Sequence, residues 1–440
     1  MKTKCKRWSK GATTKEDVYD RRDRSRGPGL HNSRNVTILL VGSGAREHAI
    51  ARAINRSPQN TNLLCFASNL NPGIQELSAA FTIDNITDTA AILAFARKHS
   101  ADLAVVGPEA PLEAGVADAL WTSGIPCVGP KRKLAQIETS KSFARELLTK
   151  YTIPACPEFR VFTGLDGVRD FLESLGDRFV IKADGLMGGK GVRVSGDHLR
   201  SHQEAIAYAT QLLAKDDRFV VEEKLVGEEF SLMSFCDGEN LLHMPPVQDH
   251  KRAYAGDRGP NTGGMGSYSD SDHLLPFLTK EDVTQAREFN ETTVRALSEE
   301  FGEGYIGILY GGFMATARGV KLIEYNARLG DPEGMNVLAI MESDLVAICQ
   351  AIVEGTLKQE RASFSPLATV CKYAVPEGYP VSPMKGERID ISGVLDKDHL
   401  YYASVDVGND GLYEAGSRTV AFIGIAETLS QAEAAAEAEI

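Results

Sequence analysis

Residues 181–194 read IKADGLMGGKGVRV. A glycine-rich run with a lysine inside it suggests phosphate binding, yet the spacing is not that of a P-loop. The pattern G-x-x-x-x-G-K-[ST] with its lysine at 190 requires glycine at 184 and a hydroxyl residue at 191. The chain has Asp184 and Gly191 there. The flanking segments, FVIKAD and GVRVSG, both read as strands, so the run joins strand to strand rather than strand to helix. It is a glycine-rich hairpin, which can fold over phosphates with backbone N–H groups and Lys190 as donors. Lys182 lies in the strand leading into it. A lysine in an otherwise apolar strand needs an anionic partner unless it sits on a surface face.

Working outward, FRVFT, RFVIKAD, GVRVSG and RFVVEEKL read as four strands between 159 and 225, with two helices among them: a small α+β unit. Upstream, VTILLVG from Val36 is a continuous apolar run ending in glycine, as in a buried parallel strand. EHAIARAIN (helix), LLCFAS (strand), TAAILAFARKH (helix), DLAVVGP (strand), LEAGVADALWTSG (helix) and PCVGP (strand) follow, which predicts an open doubly wound α/β layer ending near 138. The helix TSKSFARELLTKY is capped by Thr139 or Ser140. Downstream, residues 226–275 are Gly- and Pro-rich, and GDRGPNTGGMG reads as a long functional loop. A helix over about 279–301, strands YIGILYGGFMAT and VKLIEYN, and a helix opened by ARLGDPEGMN come next. TVCKYAVPEGYP then begins a short β-rich unit.

The 440 residues allow two to four domains. No apolar run is long enough to span a bilayer, and no apolar segment suited to a signal peptide follows the basic start. Seven scattered cysteines without a C-x-x-C fit reduced thiols in a cytoplasmic protein. Eleven Lys/Arg against four Asp/Glu give residues 1–34 a net charge of +7; subtracted from −12, that leaves −19 for residues 35–440. An acidic body argues against nucleic-acid binding by the folded part. The basic head is expected to be a disordered extension.

VGSGAREH (41–48) sits between a strand and a helix, but a dinucleotide fingerprint needs glycine where Glu47 stands. Gly42 and Gly44 still let backbone amides approach an anion at the helix start, and Arg46 adds a guanidinium suited to phosphate; the alternative is a plain tight turn. In VGPEAPL, Glu109 can accept from sugar hydroxyls or simply favour a helix N-terminus. The strand VVEEKL can present its backbone to a base edge, with Glu222 or Glu223 at hand. In LIEYNARLGDPE, Glu324 and Asn326 lie two apart on a strand and share a face. A carboxylate and an amide oxygen there suit Mg²⁺, which shares oxygen ligands with nucleotide phosphates. Arg328 follows on the same face if the strand continues.

Together these pieces resemble the ATP-grasp superfamily and, within it, the phosphoribosylamine–glycine ligase family of purine biosynthesis. The resemblance runs through VGSGAREHA, NPG (71–73), VVGPEAPL, ETSKSFA, IKADGLMGGKGV, VEEKLVGEEFS, QDHKRAYAGDRGPNTGGMGSYS, LIEYNARLGDPE and TVCKYAVPEGYP, and covers roughly 36–440. It implies a multidomain α/β and α+β chain. The parts are a basic extension (1–35), an N-terminal doubly wound phosphoribosylamine-binding domain (36–138), an ATP-grasp domain (139–361, lid about 157–225) and a small β-rich C-terminal domain (362–440). It implies ligation of glycine to 5-phosphoribosylamine with ATP as co-substrate and Mg²⁺ or Mn²⁺ as cofactor. The products are glycinamide ribonucleotide, ADP and phosphate, and the route is through glycyl phosphate with no protein nucleophile. Lys141, Lys182, Gly185, Gly188, Gly189, Lys190 and Gly191 then face the ATP phosphates, and Glu222, Glu223, Leu225 and Glu229 the adenine and ribose. Glu324 and Asn326 hold the metal, and Arg328 stabilises transferring charge. Asp249, Lys251, Arg252, Asp331 and Glu333 shape the glycine and acyl-phosphate site. Gly42, Gly44, Arg46, Glu47, Asn71, Gly73, Gly107 and Glu109 bind phosphoribosylamine. No membrane partner is implied, and a monomer or weak dimer is expected.

The basic head is not part of the family pattern. The last domain is expected to be cut short, because the chain stops within an apparent helix, SQAEAAAEAEI. The competing readings are another ATP-dependent carboxylate–amine ligase or a biotin-dependent carboxylase subunit, and a nucleotide-sensing scaffold with a dead site. DHKR, GPNTGGMG and RLGDPE argue against the first pair, and intact Lys141, Lys182, Lys190, Glu324 and Asn326 against the scaffold. A nucleotide-linked dehydrogenase fails on Glu47.

Overall fold

The computed structural model describes residues 35–187, 191–215, 217–256 and 258–440. The basic head therefore lies outside the described residues, as do Gly188, Gly189 and Lys190. No described helix is long and apolar enough to cross a membrane.

The apolar strand VTILLV becomes β1 (Val36–Val41), the centre of a parallel sheet in the order β3-β2-β1-β4-β5, with β2 (Thr61–Ala67), β3 (Ala80–Ile83), β4 (Leu103–Val106) and β5 (Cys127–Val128). Helices α1 (Ala45–Asn55), α2 (Pro72–Leu77) and α3 (Thr89–Lys98) connect the first four strands. The single helix expected over 112–124 is two, α4 (Glu109–Ala114) and α5 (Val116–Thr122). Gly115 separates them with φ +85°, a left-handed conformation open to glycine. An unforeseen helix, α6 (Arg132–Thr139), runs into α7 (Lys141–Lys150), with Ser140 as the cap whose Oγ accepts from Phe143 N–H at 3.1 Å.

The lid is an antiparallel sheet in the order β6-β9-β7-β8, from β6 (Phe159–Phe162), β7 (Phe179–Ala183), β8 (Val192–Val194) and β9 (Phe219–Glu223), covered by α8 (Val168–Leu175) and α9 (His202–Leu213). The glycine-rich run therefore links two antiparallel strands, with Lys182 opposite Val192. Phe162, Leu172, Phe179, Ile181 and Phe219 form a core of the lid's own. At about 1.5–3 kcal/mol for each large side chain buried, that cluster lets the lid hold together as a body.

The main body holds a sheet in the order β11-β10-β14-β15, made by β10 (Gly227–Gly238), β11 (Leu241–His243), β14 (Tyr305–Thr316) and β15 (Gly319–Asn326). The long helix α10 (Lys280–Phe301) is present as expected, and α11 (Glu333–Ala339) and α12 (Leu345–Glu354) follow the sheet. The segment GDRGPNTGGMG is not a loop. Its larger part lies in β13 (Arg258–Ser269), which pairs with β12 (Gln248–Tyr254) as a hairpin whose register slips twice. Small residues leave its backbone free to pair on both sides, and β13 also pairs with β16 (Ala368–Ala374). The C-terminal strands thus extend a sheet begun at β12, in the order β12-β13-β16-β21-β18. Strands β17 (Arg388–Ile389), β19 (Val405–Gly408) and β20 (Gly411–Glu414) form a separate small sheet, and α13 (Leu429–Glu439) closes the described chain after β18 (Leu400–Tyr402) and β21 (Val420–Ala426).

Candidate active site

Strand β15 begins with alternation: Val320 and Leu322 are buried in the core while Lys321 is not. Continued, that alternation would turn Glu324 inward. Instead Gly312 pairs with Glu324 and Phe313 with Leu322, leaving Ile323 unopposed in a β-bulge. A bulge re-aims the side chains beyond it. Here it sends Tyr325 into the core and brings Glu324 and Asn326 to the other face. The bulge also frees the carbonyl of Ile323, which accepts from Arg145 Nη2 at 2.9 Å and Lys182 Nζ at 3.0 Å.

Lys182 finds the anion that its apolar strand required. Its Nζ lies 2.7 Å from Glu222 Oε2, and Arg145 from α7 grips the same carboxylate at 2.7 and 3.0 Å. Glu222 is 3% exposed. Burial alone would raise its carboxyl, but Arg145 and Lys182 reverse this and hold it at about 2. Burial draws the Lys182 ammonium below the ordinary lysine range in spite of Glu222. The Glu222 carboxylate thus faces two cations inside the body, where the sequence had suggested a base-edge contact. Glu223 points outward to Arg318 at 2.8 Å, and Leu225 is half-buried.

Glu324 opens on a small cavity shared with Glu229, Asp249, Lys251 and Tyr310. Burial pushes its carboxyl up, but Lys251, Lys182, Lys141 and Arg328 together hold it below the usual range. Lys251 sits 3.0 Å from Glu229, which raises its ammonium further. Asp249 Oδ1 is buried with no hydrogen-bond partner, and burial, reinforced by Glu333, holds its carboxyl well above the carboxylate range. Tyr310 donates to Glu333 at 2.7 Å. Asp331 accepts from Tyr373 at 2.7 Å and pairs with Arg418 at 3.2 Å. Arg252 stands apart: it reaches Asp197 of the lid at 2.8 Å and the carbonyl of Gly259 at 2.9 Å.

Arg328 does share the face of Asn326, with Nη2 3.3 Å from Asn326 Oδ1. Two carboxylates bracket it, Glu109 at 3.3 Å and Glu138 at 3.0 Å. Burial raises both carboxyls; Arg328 and Arg46 carry Glu109 below its ordinary range, whereas Glu138 stays above. Glu324 and Asn326 thus offer two hard oxygens on one face beside an excess of carboxylates, which fits a divalent cation that takes its remaining ligands from phosphate and water. Among the described residues no group of three or more His, Cys, Asp or Glu could hold a metal by itself.

At the start of α1 the glycines serve a carboxylate. A methyl group on Gly42, Gly44 or Gly107 would lie 2.8, 2.9 or 2.3 Å from an atom of the Glu47 side chain. Glu47 fills that mould, accepting from Gly44 N–H at 2.6 Å and from Arg46 Nε at 2.6 Å. Gly73 likewise packs on the His48 ring. Asn71 caps α2, and its amide donates to the carbonyls of Ser43 and Tyr402, at 2.9 and 2.8 Å. Arg46 is 6% exposed and reaches the carbonyl of Leu329 at 3.1 Å.

The residue that broke the P-loop pattern has its own place. Asp184 Oδ1 accepts from Ser142 N–H at 3.2 Å, and Oδ2 from Ser140 Oγ at 3.1 Å, so it caps the N-terminus of α7. Lys141 Nζ donates to the carbonyl of Gly185 at 2.9 Å, and the carbonyl of Gly191 accepts from Ala183 N–H at 2.8 Å. Arg145, Asp184, Glu138, Tyr310 and Arg418 were not foreseen. For Arg145 a signal existed, since helical spacing puts it one turn beyond Lys141. Arg418 lies in the segment GSRTV, where no local pattern marked it out.

Residues 36–138, 139–334 and 369–440 match, in order, the families described as phosphoribosylglycinamide synthetase N domain, ATP-grasp (A) domain and C domain. The chain is 50% identical over 402 residues to a phosphoribosylamine–glycine ligase of Methanosarcina barkeri, covering 91% of this chain and 92% of that protein. The crystal structure of phosphoribosylamine–glycine ligase from Thermotoga maritima is similar with a TM-score of 0.78 at 28% identity, over 92% of this chain and 96% of that one. A biotin carboxylase from Campylobacter jejuni shares the fold alone, with a TM-score of 0.69 at 14% identity over 91% and 90%.

Proposed function

The chain belongs to the phosphoribosylglycinamide synthetase family, and from that premise we propose how its residues divide the ATP-dependent ligation of glycine to 5-phosphoribosylamine. It is an ATP-grasp carboxylate–amine ligase of purine biosynthesis, dependent on ATP and a divalent metal. The observation that carries the assignment of roles is Glu324, which opens on a cavity shared with Glu229, Asp249 and Lys251 and feels the charges of Lys251, Lys182, Lys141 and Arg328.

Phosphoryl transfer is mostly positioning and charge neutralisation. Lys182, held by Glu222 and Ile323, and Lys141 at the lid edge face the ATP phosphates, with Gly185 and Gly191 beside them. Glu223, Leu225 and Glu229 border the adenosine. Glu324 and Asn326 would hold Mg²⁺ or Mn²⁺, which when bound would supply neutralisation of phosphate charge. Asp249, Lys251, Asp331 and Glu333 hold glycine, whose carboxylate takes the γ-phosphoryl group, and Arg252 ties the lid, through Asp197, to the β12–β13 hairpin. Arg328 stabilises the transferring charge. The amine of phosphoribosylamine then attacks glycyl phosphate and expels phosphate. Gly44, Arg46 and Glu109 face that second substrate, while Gly42, Glu47, Asn71, Gly73 and Gly107 give the strand ends their shape.

The purified protein with ATP, Mg²⁺, glycine and 5-phosphoribosylamine should release phosphate, and omitting glycine or the amine should stop turnover. Phosphate release with another amino acid but not with glycine overturns the reading. Assembly as a monomer or weak dimer is proposed with it, and light scattering decides that point.

A further inference from the structure

We propose that Glu138 is a positioning residue of the ligase, fixing Arg328 relative to Asn326 by holding both the backbone N–H of Ala327, the residue between them, and the Arg328 guanidinium. The inference rests on the roles proposed above for Asn326 and Arg328. Glu138 lies in the last turn of α6, where α6 passes into α7, and its side chain is 5% exposed. One carboxylate oxygen accepts from the backbone N–H of Ala327 at 2.7 Å. The other lies 3.0 Å from Arg328 Nη2.

The need for the first bond follows from the strand. The β14–β15 ladder ends at the pair Tyr310 and Asn326, and Ala327 is 2% exposed. Its N–H has passed the last rung and is shut off from water, where a donor without a partner is costly. Glu138 supplies the missing rung with a side chain. The second bond uses the same carboxylate to orient a guanidinium that also meets Glu109, Asn326 and the carbonyl of Leu329. One carboxylate thus sets the backbone exit of β15 and the direction of Arg328 together. The group comes from the helix joining the first domain to the nucleotide-binding part, and Glu109, the other carboxylate on Arg328, opens α4 of the first domain.

A merely structural carboxylate would do no more than satisfy Ala327, and a double-variant cycle separates the two roles. Glu138→Gln keeps an oxygen for Ala327 N–H and removes the charge that holds Arg328. In the full chain with saturating substrates, Glu138→Gln should lower kcat by about 10–100-fold, as loss of an orienting partner commonly does, with KM for ATP changed less than about threefold. In an Arg328→Met background the same change should cost less than about threefold, because residues acting as a unit are non-additive. Equal costs in both backgrounds, or kcat unchanged in the single variant, overturn the proposal. Should Glu138→Gln fail to fold, Glu138→Asp, which keeps the charge but withdraws it by one methylene, replaces it with the same criterion. Failure of the wild-type chain to ligate glycine would instead overturn the reading on which the proposal stands.

Discussion

Arg46 and Arg328 donate to the same oxygen. Each places its Nη1 3.1 Å from the carbonyl of Leu329, one from the first helix and the other from the end of β15. A side chain assigned to phosphoribosylamine is thereby one atom away from one assigned to phosphoryl transfer. Arg46→Ala should raise KM for phosphoribosylamine by about 10–150-fold, the value of a charged hydrogen bond of about 1.5–3 kcal/mol. Because Leu329 loses one donor, kcat should fall as well, while KM for ATP moves little. Steady-state kinetics with each substrate varied in turn checks this; equal rises in both KM values argue against a phosphate contact at Arg46.

Glu324→Gln keeps the shape of the side chain and removes a ligand charge. The Mg²⁺ concentration for half-maximal activity should rise about tenfold or more, equivalent to ~1.4 kcal/mol. A Mg²⁺ titration at fixed ATP reads the effect, and an unchanged midpoint removes the metal role from Glu324.

The Glu222 carboxyl titrates at about 2 in the folded chain and at about 4.3 in an unfolded one. Depression of a folded carboxyl adds stability that is complete above the unfolded value and disappears as pH falls toward the folded one. Acid unfolding between about pH 4.3 and 2 should therefore have a component that Glu222→Gln abolishes. At neutral pH that variant leaves Arg145 and Lys182 buried without their anion and should destabilise by about 3–5 kcal/mol. Urea melts at pH 7 and pH 3 of both proteins decide it; parallel losses of stability with pH would show that the triad does not govern the acid limb.

Asp184→Ala removes the cap on α7 that the lid provides. The cost in stability should be about 1 kcal/mol, typical of a lost N-cap. The larger effect should be on ATP, since the same contact holds the glycine-rich hairpin near Lys141; KM for ATP should rise while KM for phosphoribosylamine stays. A melting temperature and the two KM values are the measurements, and an unaltered KM for ATP would confine Asp184 to stability.

Much of this was legible in the chain. VTILLV announced a buried parallel strand because an unbroken apolar run has few other homes, and the hairpin at 181–194 followed from the two strand-like segments that flank it, two absent residues having excluded a P-loop. Glu324 and Asn326 were placed together by period-two spacing, although the strand is not regular there. The spacing held because the bulge falls before the pair and not between them. What local pattern could not reveal was long-range. GDRGPNTGGMG looked like a loop because glycine and proline signal turns, yet small residues also allow a strand to pair on both edges. Glu222 looked ready for a ligand because its true partners, Arg145 and Lys182, lie 77 and 40 positions away in the chain. The glycines around α1 invited an anion, and the anion proved to be Glu47.

The unopposed Ile323 also constrains how this region can change in length. Removing it would take away one residue and one irregularity together, so Glu324 and Asn326 would keep their orientation. The carbonyl shared by Arg145 and Lys182 would be lost, leaving the two cations to share the Glu222 carboxylate. An insertion between Glu324 and Asn326 would do the opposite, preserving that anchor and sending the two oxygen ligands to opposite faces of the sheet. The segment 319–326 is therefore constrained twice, before Glu324 by the Ile323 carbonyl and after it by alternation. Among chains that keep the reaction, its length should be invariant even where its side chains are not.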